Sequence, residues 1–174
     1  MNVIAGIDDA SRRASLQRLA LAALPPLSPR GHEVVTTLVQ TCSLGWSADQ
    51  LAGRLGFPNR HALARLLESE GLPPVRHLTH WLLILGWVLE WEAHQTSLFR
   101  QARDGRRWPR AARRIIQVRT GLPWAEVRAR GSMWVASELA ERCPGRASAT
   151  RPAGSEPVAP ATATAPLPST LRAG

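Results

Sequence analysis

The sequence predicts an all-α protein: two helix-turn-helix subdomains joined by a long spacer helix, about seven helices altogether. Three observations carry that expectation. Apolar residues recur at helical spacing in short stretches, each opened by a capping residue and closed by glycine. Residues 74–93 become apolar nearly all round, as a helix must when it is covered on several sides. The pattern of residues 47–74 then returns about 50 residues later.

Taken in order, Ser11 to Leu24 can form a helix with Leu16, Leu19, Ala20 and Ala23 on one face, ended by Pro25-Pro26. It suits either a docking arm or a frayed tail. Ser28-Pro29-Arg30 is a helix start, with proline near the first turn. The helix it opens carries Val34, Val35, Leu38 and Val39 on one side, and is expected to cover the pair that follows, because two short helices cannot bury their apolar faces alone. In that pair, Ser47 with Gln50 three residues on forms a capping box, and Leu51, Ala52 and Leu55 make one stripe. Gly56 ends the first helix, Asn59 caps the second, Leu63, Leu66 and Leu67 are its buried stripe, and Gly71 stops it. The face opposite those leucines carries His61, Arg65 and Glu68, flanked by Arg60 and Ala64. A leucine-backed helix presenting arginine fits a DNA major groove; it also fits any helical hairpin with a solvated charged face.

The spacer helix starts with Val75, Leu78 and Trp81 on one side, and Trp81, Trp87 and Trp91 are expected in the core. Thr96-Ser97 caps a short helix with Leu98, Phe99 and Ala102 on one face, ended by Asp104-Gly105. A second helix, Arg110 to Arg119, turns Ala112, Ile115 and Ile116 inward and stops at Gly121. Gly56 precedes Arg65 by nine residues, as Gly105 precedes Arg114, and Arg65-Leu66-Leu67 answers Arg114-Ile115-Ile116. A last helix, about Trp124 to Arg142, offers Val127, Met133, Trp134 and Leu139 to the core, with Gly131 interrupting it. From Pro144 on, Pro, Ala, Thr, Ser and Gly predict a disordered tail.

Here the residues resemble a family. Leu51-Ala52, Gly56-Phe57, Leu63, Arg65 and Gly71-Leu72-x-Pro74 look like the helix-turn-helix signature of AraC/XylS-type transcription regulators, over roughly residues 30 to 142. The resemblance implies a homeodomain-like architecture with two such units on one long helix, which the internal repeat strengthens. It implies DNA contacts from Arg60, His61, Ala64 and Arg65. The second unit departs from the pattern: Arg106 stands where the family usually has an aromatic residue, with Trp108 nearby to supply the packing, and Trp124 stands where the first unit has Pro74. No sensor domain of the kind such regulators often carry is expected within these 174 residues.

Charge points the same way without reference to family. At 174 residues the chain can bury a modest core, and its net charge of +9 favours a polyanionic partner. All 22 Lys+Arg positions are arginine, a bias that GC-rich coding also produces, so the surplus rather than the residue type carries weight. Arg100, Arg103, Arg106, Arg107, Arg110, Arg113, Arg114, Arg119, Arg128 and Arg130 face only Asp104 and Glu126 along one stretch. Of these, Arg106, Arg107, Arg110, Arg113 and Arg114, with Gln117, are the candidate contacts to bases and phosphates.

Other chemistries find little support. Cys42 and Cys143 stand far apart without a CxxC partner, which excludes a disulfide framework and a four-Cys zinc site and suits a reducing cytoplasm. His77 and His80 lack a third ligand in register, so no metal and no cofactor are expected. No nucleophilic triad, phosphate-cradling glycine loop or spaced carboxylate pair stands out, and no enzyme is expected. The run Trp81 to Leu89 is too short to span a bilayer, and the N-terminus lacks a signal-peptide pattern.

The expected division is an N-terminal arm at 1–27, a first subdomain at 28–73, the spacer at 74–94, a second subdomain at 95–142 and a tail at 143–174. The expected function is sequence-specific double-stranded DNA binding and regulation of transcription in a bacterial cytoplasm, at the nucleoid when bound, with RNA polymerase a candidate partner and no membrane. The alternative is a protein-interaction module on a degenerate version of the fold.

Overall fold

The computed structural model describes residues 3–42, 45–104 and 109–143. Among these the chain is all-α, with eight helices and no strand: α1 (Val3–Ala23), α2 (Pro29–Thr41), α3 (Ala48–Arg54), α4 (Arg60–Ser69), α5 (Val75–His94), α6 (Leu98–Asp104), α7 (Pro109–Thr120) and α8 (Trp124–Glu141). The expected disordered tail beyond Cys143, the Gly105 stop and the packing role of Trp108 lie outside the described residues. No helix among the described residues is long and apolar enough to cross a membrane.

The helix starts follow local chemistry. Ser28 caps α2, accepting the Gly31 N–H at 3.1 Å, with Pro29 in the first position where a missing N–H costs nothing. At α3 the capping box is complete: Gln50 N–H donates to Ser47 Oγ at 3.2 Å, and Ser47 N–H donates to Gln50 Oε1 at 2.9 Å. Asn59 caps α4 by accepting the Ala62 N–H at 3.0 Å.

α5 is the axis. Trp81 to Leu85 are five consecutive buried residues, which a helix shows only when neighbours surround it. α8 covers it most extensively, with α1, α2, α6 and α7 on its other sides. One continuous apolar cluster draws residues from all eight helices.

α1 begins earlier than the periodicity suggested, at Val3, and it is packed rather than frayed. Leu16, Ala20 and Ala23 are buried, and the helix lies against α2, α5 and α8. Arg12 pairs with Glu90 of α5 at 2.7 Å.

Two expected core residues face water instead. Phe99 is 62% exposed: Leu98, Gln101 and Ala102, spaced i, i+3 and i+4, form the buried face, and Phe99 is rotated away from it. Met133 is 70% exposed because α8 breaks at Gly131 (φ 83°, ψ 174°) and restarts. The restart shifts the register, so that Val135, Ala136, Leu139 and Ala140 line the core. Glu92 of α5 secures the break by accepting the Ser132 N–H at 2.7 Å, the role an N-cap side chain plays.

Candidate nucleic-acid interface

The α3–α4 pair is held at its turn. Gly56 takes φ +70°, and the Phe57 N–H closes back on the Ala52 carbonyl at 2.9 Å, the glycine-stopped helix end anticipated there. Arg30 reaches across from α2, donates to the Leu55 carbonyl and lies 4.6 Å from the Phe57 ring centroid. Glu70, after α4, accepts from both the backbone N–H and the hydroxyl of Ser28. These contacts fix α4 against α2, with Leu63 and Leu67 turned into the core.

On the outward side of α4, Arg60, His61, Ala64 and Arg65 are all exposed, together with Glu68. Arg60 lies 3.7 Å from Asp49 of α3, a surface pair whose strength water and salt reduce. Arg65 has no ion pair among the described residues.

The α6–α7 pair is anchored by Ala112 and Ile116, with Ile115 half-buried. Arg110, Arg113, Arg114 and Gln117 are exposed on α7. α7 contains no acidic residue, and none of Arg100, Arg103, Arg110, Arg113 and Arg114 forms an ion pair among the described residues. The Gln117 amide donates to the Gly121 carbonyl at 3.0 Å, so it helps close the helix end. Arg106 and Arg107 lie outside the described residues.

The rest of the arginine cluster is used internally. Arg128 stacks over Trp91 at 4.3 Å, and Arg130 stacks over Trp134 at 4.9 Å while approaching Glu126 at 4.0 Å. Arg119, at the end of α7, donates from Nε to His80 Nδ1 at 3.3 Å. Burial, then the nearby Arg119 and Arg76 guanidinium groups, hold His77 below the ordinary imidazole range. Arg119 is lowered by burial and then by Arg76.

Sequence reasoning missed this junction of Arg76, His77, His80 and Arg119. The clustering of the first three along one turn of α5 was the available signal, but Arg119 comes from 39 residues beyond His80. Among the described residues no group of three His, Cys, Asp or Glu side chains is placed to hold a metal ion. No known protein family, curated protein or solved structure matches the chain.

Proposed function

We propose that the protein binds double-stranded DNA sequence-specifically and regulates transcription. In this reading α3–α4 and α6–α7 are two helix-turn-helix units on the shared α5, and α4 and α7 are their recognition helices. They enter successive major grooves on one side of the duplex, about 34 Å apart. The observation that carries the reading is the outward face of α7, where Arg110, Arg113 and Arg114 are exposed and no carboxylate answers them among the described residues. A face of purely solvated charge normally mixes both signs. Arginine there can pair with guanine or hold phosphate oxygens, and the resemblance to AraC/XylS-type regulators assigns α4 the same task through Arg60, His61, Ala64 and Arg65.

A protein-interaction role is the second reading, favoured by the exposure of Phe99 and Met133. Salt separates the two. DNA held through several arginine–phosphate contacts weakens steeply between roughly 50 and 200 mM salt, whereas apolar docking does not. Duplexes selected from a random pool provide the probe for fluorescence anisotropy across that range. Arg114→Ala is expected to weaken binding about tenfold at unchanged helicity. A flat salt response in the wild-type protein would remove the DNA reading.

A further inference from the structure

Three parts of the chain meet where α5 begins. Arg76, His77 and His80 lie along its first turns, α7 delivers Arg119 to His80, and the segment Gly45 to Ala48 faces Arg76 and His80 across a cleft of about 330 Å³. Arg119 Nε donates to His80 Nδ1 at 3.3 Å. Four groups able to carry positive charge are thus gathered at one junction.

The two helices that carry these groups supply no carboxylate near them, and Asp49 of α3, next to Ala48 of the cleft wall, lies 3.7 Å from Arg60. α7 has no acidic residue, and α5 has none before Glu90. Neither Arg76 nor Arg119 forms an ion pair among the described residues. Like charges brought together and partly withdrawn from water oppose one another, and an anion seated among them relieves both costs. Of the four, Arg76 and His80 line the cleft, and Arg119 reaches it through its bond to His80; its volume is ample for a tetrahedral oxyanion.

We propose that Arg76 and His80, with Arg119 bonded to His80 and His77 beside Arg76 on α5, form a phosphate seat at the junction of the two helix pairs, occupied in the DNA complex by a backbone phosphodiester. Assigning the occupant to DNA rests on the proposed function; the seat as an anion site does not. A phosphate gripped here sets the register of the duplex between α4 and α7 without reading a base.

The test has two arms, both on the full chain. In the first, inorganic phosphate is titrated at constant ionic strength while the ring nitrogens of His77 and His80 are followed by NMR. Saturable shifts of both rings are expected, with about tenfold weaker binding in Arg119→Gln. In the second, duplex affinity is measured against salt for the wild type, Arg76→Gln and Arg119→Gln. Each variant is expected to lower the salt slope by about one, with its melting curve retained. Rings silent to phosphate, with both variants binding duplex like the wild type, overturn the seat and leave the DNA reading standing. Rings that respond in a wild-type protein that binds no duplex overturn the DNA occupant and support a seat for a free phosphate or phosphate monoester.

Discussion

The two helix pairs use charge in opposite ways. Around α3–α4, Arg30 holds the Leu55 carbonyl, Glu70 holds Ser28 and Arg60 approaches Asp49, which leaves Arg65 as the α4 arginine with no ion pair among the described residues. On α7, Arg110, Arg113 and Arg114 answer nothing among the described residues, and the pair is held from beneath by Ala112, Ile116 and α8. The contrast teaches that counting arginines does not locate a polyanion site. A cation matched by a carboxylate or carbonyl must give up that partner before it can hold a ligand, while an exposed, unanswered one is available at once.

The contrast can be broken first on DNA. Replacing Arg110, Arg113 and Arg114 together by Gln is expected to weaken duplex binding on the order of 100-fold while the melting curve stays put. Replacing Arg60 and Arg65 by Gln should cost about tenfold, since Glu68 already weakens that face toward phosphate. Anisotropy on one selected duplex measures both, and equal losses would erase the asymmetry.

Next comes the backbone beneath the second pair. Gly131 has dihedrals that only glycine adopts readily, and an added Cβ would lie 2.9 Å from Glu92 Oε1. Gly131→Ala is expected to cost about 2–3 kcal/mol in denaturant unfolding, partly by displacing the cap on Ser132. Glu70→Ala should cost about 1–2 kcal/mol, because Ser28 loses its acceptor. The same variant should leave the DNA contribution of α7 intact.

The smallest effect concerns pH. His77 is held below its ordinary range, so between the folded value and that range the unfolded chain binds more protons. The wild type should therefore lose stability as pH falls through the imidazole range, and His77→Asn should show a shallower decline. Urea midpoints at roughly pH 7.5 and 5.5 measure the difference.

What was legible in the sequence was local. Ser28, Ser47 and Asn59 announce their helices because a capping side chain bonds to an N–H within three residues. Gly56, Gly71 and Gly121 mark stops, all at positive φ. The all-α class followed from such signals. What was illegible joins distant residues: Glu70 to Ser28 across 42 positions, Glu92 to Ser132 across 40 and Arg119 to His80 across 39. Periodicity also misplaced Met133, because it assumes one unbroken helix and Gly131 divides α8 into two registers. For the candidate site, spacing showed which side of α4 and α7 turns outward. It did not show that Arg128 and Arg130 are drawn onto tryptophans.

The most direct measurement of the central claim is a hydroxyl-radical footprint on a selected duplex. Two protected patches on one side of the DNA, about 10 base pairs apart, are predicted for the wild type. In the variant lacking Arg110, Arg113 and Arg114, one patch should fade and the other persist. A single patch, or protection spread evenly along the duplex, would contradict two helices reading successive grooves.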